Sequence, residues 1–317
     1  MPKYCVTGGC GFIGSNLVDA LIDEGHQVVV LDNLSTGKLE NLNPEAQLIV
    51  GDVCNPFDVH RAMDEADGCF HLAAIASVQK SNEDWANTHR CNLTGTIQVF
   101  EAAAKKDRPV PVVFASSAAV YGDNACVPLS EEDKPSPITA YGADKLGAEL
   151  HGRVASLVHS VPNFGFRFFN VYGPRQDPRS PYSGVMSIFA DRILQGEQLV
   201  IFGDGGQSRD FIYVADLVRF LMAGMSKCKS GHDVFNICTG MQTTIKELAQ
   251  SMIRIVGRDP GIVFEAERTG DIRLSLGNPQ KAIATFGIRP DVRVGEGLEK
   301  VLGWLQKERE SALDAAE

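Results

Sequence analysis

The sequence predicts an α/β protein built on a doubly wound parallel sheet. Short apolar runs alternate with stretches of helical periodicity through the first half of the chain. The first of these runs leads straight into a glycine-rich turn that opens a helix, and the next run ends in an acid, Asp32. Repeated strand–helix units joined by right-handed crossovers close into a sheet of this kind.

In chain order, Lys3–Thr7 reads as a buried strand. Gly8, Gly11 and Gly14 then follow in a G-x-x-G-x-x-G turn, with helical periodicity over 15–24 and a stop at Gly25. The glycines let the backbone turn tightly and approach a pyrophosphate, which sits at a helix N-terminus where free N–H groups favour anions. Residues 27–31 form the second strand. Asp32 at its end is placed to accept from the hydroxyls of an adenosine ribose, which favours NAD over NADP and makes the sheet Rossmann-type. The alternation continues with strands over Gln47–Val50 and 68–72, a helix over 92–106, and a strand over 110–116 that delivers Ser116 and Ser117 at its C-terminal end. His71 reads as a packed, hydrogen-bonded side chain, and Asn92 as a tie between neighbouring backbone segments. A helix over 141–159 and a strand over 163–169 come next. Beyond them the regularity loosens: 170–178 is turn-rich, Val185–Gln195 is helical, and Leu199–Phe202 is a short strand. The expected division is a dinucleotide-binding domain over 1–169, with a return segment at about 207–240. A smaller interleaved substrate-binding lobe would then come from 170–206 and 241–317.

A chain of 317 residues, 44% hydrophobic and 22% charged, can bury a substantial core. The net charge of −10 argues against a general nucleic-acid surface, while leaving room for local anion sites. The eight cysteines are scattered without a C-x-x-C pair, so neither a disulfide framework nor a metal site is expected. No apolar run is long enough to span a bilayer, and a strand pattern begins almost at once, so neither membrane association nor a signal peptide is expected. Free thiols in apolar runs suit a reducing cytoplasm.

The chemistry centres on Tyr141-Gly-Ala-Asp-Lys145. Tyrosine and lysine four apart on a helix share a face. An ammonium beside a phenol favours the phenolate, so Tyr141 can act as a base below its usual pKa of about 10. A serine hydroxyl nearby can pass the proton of a substrate alcohol.

The glycine spacing together with Tyr141-x-x-x-Lys145 resembles the extended short-chain dehydrogenase/reductase family, in its nucleotide-sugar epimerase branch, over nearly the whole chain. The resemblance implies a catalytic trio of Ser117, Tyr141 and Lys145. Ser117 is preferred to Ser116 because it stands four before Tyr121 in Ser-Ser-Ala-Ala-Val-Tyr-Gly. It further implies NAD contacts from Gly8, Gly11, Phe12, Ile13, Gly14, Asp32, Asn33, Thr36 and Gly37. Asp52 and Val53 would border the adenine, and Leu72, Ala73 and Ala74 would lie against the cofactor. Tyr141 would take the proton from a sugar hydroxyl, directly or through Ser117, as the carbon gives hydride to nicotinamide. Lys145 would hold the ribose and keep the Tyr141 pKa low. The ketone would turn in the site and take the hydride back on its other face.

The branch's 4,6-dehydratases carry an Asp-Glu pair where this chain has Ala118 and Ala119, and no decarboxylase glutamate is apparent. That leaves C4 epimerisation. For a UDP-sugar, the resemblance implies a diphosphate grip from Arg209, a phosphate or sugar contact from Asn170, two further candidates in Arg268 and Arg273 with Arg273 favoured as the phosphate ligand, a ribose partner in Asp271, and Val200 and Phe202 beside the uracil. Ser275 matches a gate beside the C2 substituent, where a small residue leaves room for an N-acetyl group, so UDP-GlcNAc and UDP-GalNAc are expected substrates. The helices at 92–106 and 141–159 correspond to those that pair two subunits in relatives, so a homodimer is expected, supplying cell-surface polysaccharide synthesis. Two alternatives stay open: epimerisation of a UDP-uronic acid or another nucleotide-sugar redox reaction, and a non-catalytic dinucleotide-binding regulator.

Overall fold

The computed structural model describes residues 1–105, 108–124, 126–178, 184–267 and 272–314. Numbered along the chain, the strands begin with β1 (Lys3–Thr7), β2 (Gln27–Asp32), β3 (Gln47–Val50), β4 (Gly68–His71), β5 (Val112–Ser117) and β6 (Asn163–Phe168). After these come β7 (Asn170–Tyr172), β8 (Leu199–Phe202), β9 (Ser208–Tyr213), β10 (His232–Ile237), β11 (Gln242–Thr244), β12 (Ile262–Glu265) and β13 (Leu274–Ser275). The helices are α1 (Phe12–Asp23), α2 (Pro56–Ala62), α3 (Val78–Glu83), α4 (Trp85–His89), α5 (Gly95–Ala104) and α6 (Ala140–His159). They continue with α7 (Val185–Gln195), α8 (Val214–Lys227), α9 (Ile245–Val256), α10 (Gln280–Phe286) and α11 (Val294–Asp314).

Seven parallel strands form the main sheet in the order β10-β6-β5-β4-β1-β2-β3. The chain winds outward in both directions from the β1–β4 boundary, and such a switch point opens a ligand crevice at the carboxyl ends of the strands. Successive strand residues point to opposite faces. Val6, Val30 and Val113 therefore join Leu17, Leu21, Leu217 and Phe220 of α1 and α8 in one core. Cys5, Val29 and Phe114 join Val59, Val99 and Ala148 of α2, α5 and α6 in the other.

The C-terminal part adds a small sheet, β11-β9-β13 with β7 on β9, and a β8–β12 pair. A third core, with Phe189, Ile201, Phe211, Leu248 and Leu302, lies beneath it. Of the 207–240 segment, β10 joins the main sheet while β9 is the central strand of the small one. No helix among the described residues is long and apolar enough to cross a membrane.

Two helices begin earlier than their sequence patterns indicate. Helix α1 starts at Phe12 because Gly14 lies inside its first turn, pressed against the glycine loop. The helix expected from residue 92 is entered through α4 and a π-helical turn, Arg90–Thr94. A π turn adds a residue without breaking the helix, which hides it from a 3.6-residue periodicity.

Candidate active site

The carboxyl ends of β1, β2 and β4 converge on the glycine turn. Gly8 has φ +73°, a left-handed conformation natural to glycine, and a Cβ there would stand 2.8 Å from the Ala73 nitrogen. A Cβ on Gly14 would stand 2.1 Å from the Gly8 carbonyl oxygen. No side chain caps the N-terminus of α1 at Gly11, and its first turn carries no acid. Asp32 is buried at the end of β2, accepting from the Cys10 N–H at 2.9 Å and the Leu34 N–H at 2.8 Å. Gly37 lies against this carboxylate, where a Cβ would approach it to 2.8 Å.

A second set of bonds ties β1 to β4 and α5. The Thr7 hydroxyl lies 2.8 Å from His71 Nδ1 and accepts from the Leu72 and Ala73 N–H groups, both at 3.2 Å. His71 Nε2 lies 2.9 Å from the Thr96 hydroxyl, which itself donates to the Asn92 carbonyl at 2.7 Å. With the Thr96 proton spent, Nε2 must be the protonated nitrogen, and Nδ1 accepts from Thr7. Burial, with a smaller contribution from the Lys145 charge, pushes the His71 pKa down to about 3. His71 is thus a neutral structural group, as its sequence context suggests. Asn92 brackets Ile75, accepting from its N–H at 2.8 Å and donating to its carbonyl at 3.0 Å, which is the backbone tie expected of it.

At the C-terminal end of β5 the two serines part company. Ser116 is buried and donates to Glu149 at 2.5 Å. Glu149 also takes a bidentate pair from Arg167 (2.8 and 2.7 Å), and Arg167 reaches the Tyr121 hydroxyl at 2.8 Å. Ser117 instead accepts from the Ala119 N–H at 3.2 Å, and its hydroxyl lies near enough to the Tyr141 phenol to lower that group's pKa. The alternation of a strand makes this assignment, with one serine facing the helix α6 network and the other the cleft.

Lys145 is buried one turn along α6 from Tyr141. Its Nζ donates to the Ala115 carbonyl at 2.8 Å and stands 5.7 Å from the Tyr141 ring centroid. Here the expectation that Lys145 lowers the Tyr141 pKa needs correcting. Burial raises the phenol, and the group that draws it back down is the Ser117 hydroxyl. Lys145 is itself pushed down to about 8 by burial, offset by nearby Cys91 and Asp144.

The residues expected on the substrate side lie on the small sheet and on the neighbouring β8–β12 pair. Asn170, on β7, donates to the Asp210 carbonyl at 3.1 Å. Arg209, on β9, donates to the Ser208 and Ile272 carbonyls at 2.9 and 2.6 Å, and its register partner on β13 is Ser275. Buried Asp210 accepts from the Thr239 N–H and hydroxyl (2.8 and 2.7 Å) and from the Gly240 N–H (2.8 Å), with the Gly277 N–H at 3.4 Å. Val200 and Phe202 lie on β8, opposite β12. Arg273 is half-exposed and forms a bidentate pair with Asp204 at 2.6 and 2.9 Å, which holds that carboxyl well below the usual range. Arg268 and Asp271 lie outside the described residues.

The sequence profile described as the NAD dependent epimerase/dehydratase family matches residues 4–238. The chain belongs to this family. It is 34% identical over 308 residues to the UDP-glucose 4-epimerase of Mycolicibacterium smegmatis, covering 95% of this chain and 97% of that one. Its fold matches the UDP-glucose 4-epimerase of Thermotoga maritima, solved with UDP-glucose, at a TM-score of 0.93 and 37% identity, covering 97% of this chain and 99% of that one. It also matches the UDP-N-acetylglucosamine 4-epimerase of Methanobrevibacter ruminantium, solved with UDP-N-acetylmuramic acid, at 0.92 and 35%, with the same coverage.

NAD is the family's cofactor, and the residues present fit it. The glycine turn excludes any Cβ where Gly8 and Gly14 close on neighbouring backbone, and it ends in an uncapped, acid-free helix N-terminus suited to a pyrophosphate. Each Asp32 oxygen spends one lone pair on a backbone N–H, leaving acceptor capacity for ribose hydroxyls.

In this epimerase-family site, sequence reasoning passed over Ser81 and Asp210. Ser81 is buried on α3 and accepts from the Tyr141 N–H at 3.2 Å, tying the start of α6 to α3. The cap Ser77, which accepts from the Lys80 N–H at 3.0 Å, is the local signal that would have revealed α3.

Proposed function

We propose that the protein interconverts the C4 epimers of UDP-hexoses, including UDP-GlcNAc and UDP-GalNAc, through a 4-keto sugar. One observation carries the reading: Lys145, one turn from Tyr141 on α6, is anchored on the Ala115 carbonyl of β5 and stands 5.7 Å from the Tyr141 ring, at the strand that ends in Ser117 and leads into Ala118 and Ala119, which offer no acid–base pair for elimination. In this reading Tyr141 takes the proton of the sugar's 4-hydroxyl. The Ser117 hydroxyl lowers the Tyr141 pKa, which favours the phenolate, and can relay the proton. Lys145, anchored on Ala115, supplies a positive charge near the ring and can hold a ribose hydroxyl. Bound NAD supplies the hydride acceptor and, when oxidised, a further positive charge that opposes the burial penalty on the phenolate. Turning the keto sugar before hydride return gives the other epimer.

On the substrate side, Asn170, Arg209 and Arg273 are the proposed diphosphate ligands, with Arg268 joining them. Arg273 would exchange its exposed Asp204 partner for phosphate, a bidentate acceptor of similar shape. Asp271 is the proposed ribose partner, and Val200 and Phe202 the uracil border. Ser275, a small side chain in register with Arg209, leaves room beside the sugar's C2 substituent.

The proposed assembly is a homodimer formed through α5 and α6. Leu150, Val154, Leu157 and Val158 are exposed along α6, and Ile97, Phe100 and Ala104 of α5 line the adjoining groove. The proposed compartment is the cytoplasm, and the pathway cell-surface polysaccharide synthesis.

The test is to incubate the purified protein, with no added cofactor, separately with UDP-GlcNAc, UDP-Glc and UDP-glucuronic acid, and to resolve the products by chromatography. UDP-GalNAc from the first supports the full reading. UDP-Gal alone keeps the mechanism and overturns the role of Ser275. Turnover of the uronic acid alone replaces the substrate assignment.

A further inference from the structure

One tyrosine beside the proposed trio takes no part in its chemistry. Tyr121 closes the 3-10 turn Ala118–Tyr121, which follows directly on Ser117, and it is fully buried. Its hydroxyl donates to the Asn236 side-chain oxygen at 2.7 Å and accepts from Arg167 Nη1 at 2.8 Å. Burial pushes the phenol up to about 12, with Arg167 offsetting only part of that rise. A phenol that keeps its proton, and has already given it to a neighbour, is an anchor and not an acid or a base.

The anchorage is the parallel sheet itself. Ser116, Arg167 and Asn236 are register partners on β5, β6 and β10, so their side chains form one row on the same face. Ser116 and Arg167 both donate to Glu149 of α6, and Asn236 donates to the Leu129 carbonyl at 2.9 Å. All four of these side chains are buried, and each has its partners. Buried polar groups satisfied in this way rigidify the elements they join.

Ser117 lies between two fixed points of this network. Behind it, Ser116 is held by Glu149, and the Ala115 carbonyl by Lys145. Ahead of it, the Ser117 hydroxyl caps the turn, accepting from the Ala119 N–H at 3.2 Å, and Tyr121 holds the turn's far end. The cap fixes where the Ser117 oxygen stands and leaves its proton to be given elsewhere. The same turn is pressed against the start of α6. A Cβ on Gly142, next to Tyr141, would stand 2.6 Å from the Ala119 carbonyl oxygen. A shift of the turn therefore moves the Ser117 oxygen relative to the helix turn that carries Tyr141.

We propose, on the reading of Ser117 and Tyr141 given above, that Tyr121 is a positioning residue for Ser117. Its hydroxyl, held by Asn236 and by Arg167 on Glu149, locks the turn that aims the Ser117 hydroxyl into the cleft.

The experiment is a double-mutant cycle on kcat and KM, run with UDP-Glc and UDP-GlcNAc and expressed per NAD-loaded subunit. Ser117→Ala should lower kcat about a hundredfold. Tyr121→Phe keeps the ring and removes only the hydroxyl. It should lower kcat about tenfold and leave KM within about twofold of the parent, because a misplaced group costs rate more than binding. In the Ser117→Ala background Tyr121→Phe should cost no further rate, since the group it positions is gone. Arg167→Lys keeps a cation for Glu149 but loses the planar fork that reaches Tyr121 at the same time. It should repeat both results, and it stands in if Tyr121→Phe does not fold. A crystal structure of Tyr121→Phe gives a readout that needs no turnover: the Ala118–Tyr121 turn should shift and the Ser117–Ala119 bond should be lost. An unmoved turn, an unchanged kcat, or a further tenfold loss in the Ser117→Ala background would each overturn the proposal and leave the epimerase reading standing. A Ser117→Ala protein with the parental kcat would overturn the role of Ser117 itself, and the positioning role with it.

Discussion

On the cofactor side of the cleft, the shaping groups are locked to the backbone of the parallel sheet. Asp32 holds the glycine turn, and Thr7, His71 and Thr96 chain β1 to β4 and α5. On the substrate side the candidate ligands lie on short strands, and a single carboxylate, Asp210, gathers β9, the end of β10 and the segment after β13. Arg273, at that wall's edge, is paired with an exposed aspartate. The contrast fits the two ligands. A cofactor that stays through every cycle is best met by a preorganised wall, whereas a sugar that must turn over needs fixed phosphates and a looser pocket.

The hardest break falls where the walls meet. Tyr141→Phe should lower turnover by about a thousandfold while leaving NAD in the purified protein, because only the proton acceptor is lost. Unchanged turnover would overturn the mechanism. Gly14→Ala tests the cofactor wall alone. Its Cβ would sit 2.1 Å from the Gly8 carbonyl oxygen, a collision with backbone that no side-chain rotation relieves. The expected outcome is protein purified without NAD, read by absorbance after denaturation.

The substrate wall should give smaller, more selective effects. Ser275→Tyr should cut turnover of UDP-GlcNAc by roughly 10–100-fold relative to UDP-Glc, the range available to steric discrimination in a pocket. Equal loss on both sugars would mean that Ser275 does not face the C2 substituent. Asp210→Asn replaces an acceptor-only carboxylate with a group that carries its own N–H donors among converging N–H groups. It should destabilise the protein by about 2–3 kcal/mol in denaturant melts and raise KM for the UDP-sugar more than it lowers kcat.

The same contrast explains what could be read from the chain. The glycine turn, Asp32 and the Tyr141–Lys145 pair are local patterns, set by neighbours within one strand–turn–helix unit or one helix turn. They stand where the spacing places them. Asp210 was missed because its acceptor role depends on Thr239, Gly240 and Gly277, which lie 29 to 67 residues away. Helices α3 and α4 were missed because they have 6 and 5 residues, too few for periodicity to show. The influence of Lys145 on Tyr141 was misjudged for another reason. Sharing a helix face is local, but desolvation belongs to the finished fold, and here it acts on both groups.

The smallest effect tests whether the cofactor wall's rigidity has a pH limit. The folded protein keeps His71 neutral down to about 3, while an unfolded histidine takes a proton below its ordinary 6.5. Between those values the unfolded chain binds the extra proton, so stability must rise with pH across the window and fall as the solution is acidified. The slope from this group is about 1.4 kcal/mol per pH unit. Glutamine can accept from Thr7 through its oxygen and donate to Thr96 through its nitrogen, but it does not titrate. His71→Gln should therefore cost little at pH 8 and flatten the acid limb of stability against pH, measured by urea melts from pH 4 to pH 8. Parallel acid limbs in the two proteins would mean that His71 takes up its proton without unfolding, and that the chain from Thr7 to Thr96 is less closed to water than its burial implies.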